Sequence, residues 1–428
     1  MTSSVVIPRP NPLFDNVPKD VWSMINEAAA LAEKESGKKI TNLGQGFFSY
    51  SPPDFAIEAA KRALDVPMLN QYSPTRGRQS LRNALAKSYS PFFNKAINPD
   101  TEIVVTSGAN EGMLSAFMAF VHPGDEVIVF EPFFDQYISN IQMPGGKVVY
   151  VPLHPPADAA FKTSSAANWS LDVKELENAI TAKTKMIVIN TPQNPTGKIF
   201  SKQELQIIAD LAVKHNVIVL SDEVYDSLFY TPFTRIATLN EDIAKLTISV
   251  GSAGKTFAAT GWRVGWLIAN AELITPIAAA NTRICFTANS PLQEACAEAI
   301  ELAAHNDYYE TQIKSFKNKF EILNSVWDEL GLPYSIPEGG YFVLVHFGKV
   351  KIPEDYEFPK ELLSKPKDFR VAYWLIREIG VVSIPPTEFY IPEHAHYAED
   401  FLRFAVCKDD AILEDAVERL RGLKKYIQ

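Results

Sequence analysis

A series of short apolar runs between residues 101 and 269 constrains the fold of this 428-residue chain more than any other feature. The runs are rich in β-branched residues and comprise IVVT (103–106), EVIVF (126–130), KMIVIN (185–190), NVIVLSDE (216–223), LTISV (246–250) and RVGWLI (263–268). Uniformly apolar strands are typical of a mainly parallel sheet covered on both faces, because each strand then buries both of its sides. The sequence therefore predicts an α/β fold around such a sheet.

The segments between these runs carry helical patterns. In SKQELQIIADLAVKHN, Ser201 is followed three residues later by Glu204, which is the spacing of a capping box, and the apolar residues of this segment fall on one stripe. This pattern predicts a crossover helix and hence a βαβ unit. Because ligands of open α/β sheets bind outside the carboxyl ends of the strands, we expect the functional residues directly after the apolar runs.

The pattern changes near residue 305, where a long helical segment begins and is followed by PEGGYFVLV and a proline-rich loop over 351–368. The chain ends on a strongly amphipathic helix. We expect residues 51–305 to form a large domain and residues 306–428 a smaller α+β domain. Residues 1–50 are expected to form an N-terminal arm that contributes to the smaller domain.

Composition and charge disfavour several classes of function. Lys and Arg total 41 against 51 for Asp and Glu, and the net charge of −10 opposes binding to nucleic acid and to anionic lipid. Since the sequence holds no run of ~18 apolar residues, no membrane span is expected. The N-terminal sequence lacks a secretory apolar core and makes a poor presequence, so the predicted location is the cytoplasm, with a mitochondrial share left open.

Cysteine and histidine spacing gives no indication of a metal site. The three cysteines are scattered, and the seven histidines show no ligand spacing, so no metal is predicted. His394 and His396 form an HAH sequence in a polar segment, where we expect both to lie on the solvated surface.

Polar motifs follow the predicted strands, and their order resembles a known family. The motifs are NLGQGF, NQYSPTRG, EPFFDQY, NPTGK, SDEVY, SAGKTFAATGWRVGW and RFAVCKDD, and they extend from residue 42 to residue 410. They resemble the fold type I, class I aminotransferases that depend on pyridoxal 5′-phosphate (PLP), and more narrowly the kynurenine aminotransferase, glutamine transaminase K and cysteine-S-conjugate β-lyase group. The resemblance implies a large domain with a mainly parallel seven-stranded sheet between helices, a smaller α+β domain, and a homodimer.

Lys255 lies in a loop of small residues directly after LTISV, and a lysine at a sheet edge is suited to a Schiff base. The resemblance implies that Lys255 binds the PLP aldehyde and, once displaced by substrate, moves the proton between the substrate Cα and the cofactor. Asp222 would keep the pyridine nitrogen protonated, since a nearby carboxylate favours the cationic form of a base. Tyr225 and Asn194 would bond the 3′-oxygen.

The resemblance also implies sites for the phosphate and the ring of PLP. The phosphate would meet a strand-to-helix turn, where backbone N–H groups and the helix dipole favour an anion. The implied residues are Ser107, Gly108, Ala109, Asn110, Ser252 and Arg263 for the phosphate, Tyr72 of the neighbouring subunit close to it, and Phe134 stacked on the ring.

For the substrate, the resemblance implies that Arg403 in FLRFAV binds the carboxylate, with Asn194 and Gly46 completing the clamp. An arginine in such an apolar run needs an anionic partner, which a substrate carboxylate supplies. The side-chain pocket would be lined by Trp22, Tyr72 and Phe286, the last two from the neighbouring subunit.

The expected activity is transfer of the amino group from L-kynurenine, or a similar aromatic or sulfur-containing L-amino acid, to a 2-oxo acid. With 2-oxoglutarate the products would be kynurenic acid and L-glutamate. The alternatives are cysteine-S-conjugate β-lyase chemistry, or a broad aromatic, glutamine and methionine aminotransferase on the same scaffold. A catalytically silent PLP-binding regulator is the alternative from another class, since the fold also occurs fused to DNA-binding domains.

Overall fold

Each apolar run of the sequence lies in one strand of a central sheet in the computed structural model, which describes residues 7–15 and 19–428. The strands are β1 (Thr41–Asn42), β2 (Ile103–Thr106), β3 (Glu126–Glu131), β4 (Lys147–His154), β5 (Ser164–Ser165), β6 (Ser170–Leu171), β7 (Thr184–Asn190), β8 (Ile218–Asp222), β9 (Thr247–Ser252), β10 (Gly265–Ile268), β11 (Ser335–Ile336), β12 (Phe342–His346), β13 (Val381–Val382) and β14 (Phe401–Ala405). The helices are α1 (Val21–Ser36), α2 (Asp54–Asp65), α3 (Gln79–Tyr89), α4 (Ala109–Phe120), α5 (Gln136–Gln142), α6 (Val173–Ala179), α7 (Lys202–His215), α8 (Glu241–Leu246), α9 (Ala253–Thr256), α10 (Ala271–Ile284), α11 (Ser290–Ala303), α12 (Tyr308–Leu330), α13 (Lys367–Trp374) and α14 (Asp410–Leu420).

The central sheet has eight strands in the order β2-β10-β9-β8-β7-β3-β4-β6. The five strands from β9 to β4 pair in parallel, so the predicted α/β fold with a mainly parallel sheet is confirmed. The strand number is eight rather than seven, because the two-residue β6 pairs antiparallel with the end of β4. Strand β10 is antiparallel to both of its neighbours, and the backbone of Arg263, shortly before it, is left-handed, with φ 52°.

The predicted crossover helix is α7, and its start has the predicted capping box. The Ser201 hydroxyl accepts a hydrogen bond from the Glu204 N–H at 3.2 Å, and the Glu204 carboxylate accepts one from the Ser201 N–H at 2.8 Å. The helix ends where Asn216 adopts a left-handed conformation, with φ 54°. Its buried stripe packs on the sheet, and this covers one face of β7 and β8.

The register of the sheet brings the carboxyl ends of several strands side by side. Asn190 of β7 pairs with Asp222 of β8, and Asp222 pairs with Val250 of β9. On the other side, Gly265 of β10 pairs with both Ser252 of β9 and Thr106 of β2. The residues that follow these strands therefore converge on one edge of the sheet.

Three two-stranded pairings lie outside the central sheet in the described ranges, and one of them joins β5 with β11. Strand β1 pairs in parallel with β13, so the chain near residue 41 lies beside the C-terminal part of the molecule. Strands β12 and β14 are antiparallel, with Leu344 opposite Arg403. Within the described ranges, no helix is both long and apolar enough to cross a membrane.

Candidate active site

Asp222 ends β8 with its carboxyl group buried. Its Oδ2 accepts a hydrogen bond from the Tyr137 hydroxyl at 2.5 Å, and its backbone oxygen accepts one from the Asn190 amide at 3.0 Å. Burial raises the pKa of Asp222 to about 6, although the Tyr137 hydroxyl and the charge of Lys255 act in the opposite direction. Asp222 is therefore an oriented carboxylate that a nearby cationic N–H would stabilise in its ionised form.

Lys255 lies in the single-turn helix α9, directly after β9, where Ala253 and Gly254 are buried beside it. Its Nζ donates a hydrogen bond to the Tyr341 hydroxyl oxygen at 2.9 Å and lies 5.8 Å from the centre of the Tyr225 ring. Burial lowers the pKa of Lys255 to about 8. An appreciable part of this amine is therefore unprotonated near neutral pH, as a nucleophile or a base requires.

Tyr225 and Asn194 lie close to this lysine and aspartate. Tyr225 is buried, its ring meets the Tyr341 ring edge-on with centres 5.2 Å apart, and burial raises the pKa of its phenol. The Asn194 backbone N–H donates to the Asn190 side-chain oxygen at 2.8 Å. The structure thus places the predicted residues Asp222, Tyr225, Asn194 and Lys255 around one edge of the sheet.

The turn between β2 and α4 lies close to the Arg263 side chain. Gly108 has φ 83°, and a Cβ atom at this position would lie 2.6 Å from the Arg263 Nη2 atom, so a larger residue would be strained and would force the guanidinium to move. No side chain of the described residues caps α4, and its first-turn N–H groups, which include those of Ala109 and Asn110, have no partner within the helix. This turn and the guanidinium together form a cradle for an anion.

Ser107 and Ser252 belong to the same region. Ser107 begins the turn directly after Thr106. Gly265 of β10 pairs with Thr106 on one side and with Ser252 on the other. A Cβ atom on Gly265 would lie 2.5 Å from the Ala109 nitrogen, so the turn packs directly on β10. The six residues predicted for a phosphate site therefore lie together.

Phe134 is half-buried and meets the Tyr137 ring edge-on with centres 5.5 Å apart. Because the Tyr137 hydroxyl bonds Asp222, Phe134 lies one ring away from that carboxylate. The neighbouring Phe133 is buried in the core.

Arg403 lies on β14, and its residue surface is only 1% exposed. Its Nη1 donates to the Asn194 side-chain oxygen at 3.0 Å, and its Nη2 donates to the Gly44 backbone oxygen at 2.8 Å. Three rings surround the guanidinium, with centres 4.3 Å (Phe342), 5.2 Å (Phe389) and 5.4 Å (Trp22) from its carbon.

No carboxylate in the described part of the chain forms an ion pair with Arg403, and its Nε has no hydrogen-bond partner there. Burial lowers the pKa of Arg403 to about 10, so the group still carries its charge at neutral pH. A buried charge without a counter-charge is costly, by several kcal/mol. The surroundings of Arg403 are therefore complementary to an anionic group that residues 7–15 and 19–428 do not supply.

Gly46, predicted to complete the carboxylate clamp, lies in the loop that contacts Arg403, and its role in the clamp stays a prediction. The backbone oxygen that contacts Arg403 belongs to Gly44, whereas the Gly46 oxygen accepts a hydrogen bond from the Tyr341 hydroxyl at 3.0 Å. Gly46 still lies at the site, since a Cβ atom on it would lie 2.7 Å from the Phe342 ring. Successive carbonyl groups of this loop face different partners: Arg403 at residue 44, Lys408 at residue 45 and Tyr341 at residue 46.

Tyr72 and Phe286 do not join this site within one chain. They are 84% and 50% exposed, and their rings meet edge-on with centres 5.5 Å apart. Met68, close to Tyr72 in sequence, is also strongly exposed. These residues form an aromatic and apolar surface.

His396 is exposed, as predicted, whereas His394 is only partly exposed and contacts a buried carboxylate. Its Nδ1 contacts the carboxylate of Glu131, which is fully buried at the end of β3 and also accepts a hydrogen bond from the Ile391 N–H at 2.6 Å. The histidine is drawn in because a buried carboxylate needs polar partners.

Tyr137, Asn190, Tyr341 and Gly44 take part in the site but were not predicted individually. Tyr137 ends the EPFFDQY motif and Tyr341 follows the two glycines of PEGGYF, so the motifs contained the signal. Their contacts join segments that are far apart in sequence, which the motifs alone do not indicate.

Residues 38–420 match the family model "Aminotransferase class I and II". The chain belongs to this aminotransferase family. It is 59% identical over 417 residues, covering 96% of this chain and 94% of the relative, to the Saccharomyces cerevisiae protein "Probable kynurenine--oxoglutarate transaminase BNA3". It is 39% identical over 395 residues to the kynurenine--oxoglutarate transaminase of Dictyostelium discoideum, covering 90% of this chain and 91% of that one.

Among solved structures, the aminotransferase fold described here is similar to the crystal structure of Bna3p from Saccharomyces cerevisiae. The TM-score is 0.97 at 58% identity, and the match covers 99% of this chain and 100% of that chain. The family implies PLP, and the side chains present here fit it. A buried amine of lowered pKa suits an aldehyde, a buried carboxylate suits a ring nitrogen, and the cradle at Gly108 suits a phosphate.

Proposed function

We propose that this aminotransferase uses PLP to move the amino group of L-kynurenine, or of a similar aromatic or sulfur-containing L-amino acid, to a 2-oxo acid. With 2-oxoglutarate as acceptor the products are L-glutamate and the oxo acid of kynurenine, which closes to kynurenic acid. The names of the two relatives above support this substrate pair.

The observation that carries the proposal is the buried Arg403, which has no counter-ion among the residues that the structure describes. Amino acids and 2-oxo acids both carry a carboxylate next to the reacting carbon, so one guanidinium can bind donor and acceptor in turn. Because the rings of Trp22, Phe342 and Phe389 surround Arg403, water is excluded and the ion pair with a substrate carboxylate is strengthened. This supports two successive half-reactions in one pocket.

PLP, when bound, supplies an aldehyde that condenses with amines and a pyridinium ring that withdraws electrons from the substrate carbon. Lys255 holds the cofactor and, as a free amine, removes the proton from the substrate Cα. Asp222 would keep the ring nitrogen protonated, and Tyr225 and Asn194 would donate hydrogen bonds to the 3′-oxygen.

The remaining residues would hold the phosphate and the ring of the cofactor. The phosphate would be bound by the turn Ser107, Gly108, Ala109 and Asn110, together with Ser252 and Arg263. Phe134 would pack on the ring.

The exposed surface around Tyr72 and Phe286 supports a homodimer with the active sites at the subunit interface. Leu64, Val66 and Met68 extend this apolar surface, and their burial against a second copy would remove it from water. In the dimer Tyr72 would reach the phosphate, and Phe286 the side-chain pocket, of the neighbouring subunit. We further propose that residues 51–305 form the large domain and that residues 1–50 and 306–428 contribute to the small one, in a cytoplasmic enzyme.

A panel of amino donors tests the proposed substrate class. Purified enzyme is assayed with L-kynurenine, phenylalanine, glutamine or aspartate at matched concentration and a shared 2-oxo acid. We expect at least one of the first three to exceed aspartate about a hundredfold in kcat/KM, roughly 2.7 kcal/mol, because aromatic surfaces stabilise an apolar side chain and penalise a second carboxylate. If aspartate is the best donor, the proposed substrate class is wrong, whereas the roles of Lys255 and Asp222 would still hold.

A further inference from the structure

A chain of two hydrogen bonds connects Lys255 to the backbone of the loop over residues 44–49. The Lys255 Nζ lies 2.9 Å from the Tyr341 hydroxyl oxygen, which in turn lies 3.0 Å from the backbone oxygen of Gly46. Tyr341 is fully buried and directly precedes β12. It is the link between the lysine on the central sheet and the N-terminal part of the chain.

The direction of both hydrogen bonds follows from the groups involved. A backbone carbonyl oxygen can only accept, so Tyr341 donates its single hydroxyl hydrogen to Gly46. The tyrosine oxygen is then left as an acceptor only, and Lys255 must donate to it. One N–H of the lysine is thereby fixed, and the lone pair of the neutral amine is directed away from Tyr341.

The Tyr341 ring is held on several sides. It stacks on Phe316 with centres 6.1 Å apart and meets Phe48 edge-on at 5.4 Å. Burial raises the pKa of its phenol, so the hydroxyl keeps its hydrogen at neutral pH. The hydroxyl therefore has little freedom to release Lys255 by rotating or by ionising.

The same loop also contacts the substrate-binding arginine. Gly44 accepts a hydrogen bond from Arg403, and the Lys408 ammonium donates to the backbone oxygens of Gln45 at 3.1 Å and Phe47 at 2.7 Å. The position of this loop thus affects Arg403 and Lys255 together.

We propose that Tyr341 is a positioning residue, which holds the Lys255 amine in one orientation and connects it to the loop that contacts Arg403. The inference rests on the proposed function, in which Lys255 moves the substrate proton. The other groups that act on the charge of Lys255 are Cys407, Asp222, Arg263 and Arg403, and a Tyr341→Phe substitution leaves all four in place.

The test compares Tyr341→Phe with the matched control Tyr230→Phe. Tyr230 also donates its hydroxyl hydrogen to a backbone oxygen, that of Gly340 next to Tyr341, at 2.5 Å. In the described part of the chain, the Lys255 amine bonds Tyr341 and not Tyr230. The full-length protein, freed of bound cofactor, is acetylated competitively across the pH range of the amine, and the extent of labelling at Lys255 is measured by mass spectrometry. Because a hydrogen bond stabilises a charged donor more than a neutral one, we expect Tyr341→Phe to lower the pKa of Lys255 by about half to one unit.

Two further readouts separate positioning from a general structural effect. Amide hydrogen exchange over residues 44–49 should become faster in Tyr341→Phe and not in Tyr230→Phe, because only the first variant loses the bond to Gly46. In the loaded enzyme, kcat should fall about tenfold while KM changes less than about threefold, since the orientation of the base matters after binding.

An unchanged Lys255 pKa in Tyr341→Phe, or an equal shift in Tyr230→Phe, overturns the proposal. A wild-type protein that transfers no amino group to any 2-oxo acid would instead refute the proposed function. The labelling and exchange results would in that case still decide whether Tyr341 orients Lys255.

Discussion

Replacing Arg403 with lysine tests how the planar guanidinium binds the substrate carboxylate. The Arg403 Nη1 and Nη2 atoms each use one hydrogen on the protein, at Asn194 (3.0 Å) and Gly44 (2.8 Å). Each of these nitrogens carries a second hydrogen, so two charge-assisted bonds to a carboxylate are available. A lysine ammonium has three hydrogens. The same two protein acceptors bind two of them, so one hydrogen is left for the substrate carboxylate.

The Arg403→Lys variant therefore loses one of two charge-assisted bonds to the substrate. Such a bond contributes about 1.5–3 kcal/mol, which corresponds to a loss of about 10- to 150-fold in kcat/KM. Because every donor carries the same α-carboxylate, the loss should be equal for all amino acids, and the ratios between donors should stay unchanged.

The assay measures kcat/KM for kynurenine, phenylalanine and glutamine with a saturating 2-oxo acid. Arg419→Lys serves as the control, since Arg419 pairs with Asp415 at 2.7 Å on α14, in the same part of the chain. A normal kcat/KM in Arg403→Lys would refute the inference that the buried guanidinium binds the substrate carboxylate. A loss confined to one donor would assign Arg403 to the side-chain pocket instead.

Three further predictions concern the cofactor and the dimer. Asp222→Ala should slow proton removal from the substrate Cα by orders of magnitude, because the ring nitrogen loses its carboxylate, whereas Asp222→Glu should keep part of the rate. Single-turnover kinetics measure both rates. A normal rate in Asp222→Ala would rule out this role for Asp222. Gly108→Ala should weaken PLP binding at least about tenfold, since the added Cβ displaces Arg263 from the anion cradle. Equilibrium dialysis measures the affinity, and an unchanged affinity would argue against that cradle. The inactive variants Tyr72→Ala and Lys255→Ala are mixed in equal amounts and reassembled into dimers. About a quarter of wild-type activity should return, because half of the dimers then contain both variants and hold one intact site out of two. No recovery would place Tyr72 in the active site of its own subunit.

Much of the fold was predictable from local patterns. Strands β7 to β9 are apolar on both faces, and the start of α7 is encoded by Ser201 and Glu204, three residues apart. Strand direction is not encoded in this way, because a strand buried on both faces has the same pattern in either orientation. The antiparallel β10 therefore could not be distinguished from its parallel neighbours.

The site was predictable to the extent that its residues lie within the motifs that follow the strands. Lys255, Asp222, Asn194 and Arg403 could each be named from their own segment, yet the contact between Lys255 and Tyr341 joins residues 86 positions apart. Likewise, the partner of His394 is Glu131, 263 positions away, so the local polarity around the histidine did not indicate this contact. A tyrosine or histidine in such a segment has the same local pattern whether it lies in solvent, in the core or at the site.

Borohydride reduction of the enzyme purified with PLP tests most directly that Lys255 carries the chemistry. Borohydride makes the bond between a lysine amine and the PLP aldehyde permanent, and peptide mapping then identifies the lysine. We expect one label per chain, on Lys255, and no label in Lys255→Ala, although that variant should still bind PLP through the Gly108 turn and Asp222. A label on any other lysine, or an equal label in Lys255→Ala, would contradict the assignment of the active site.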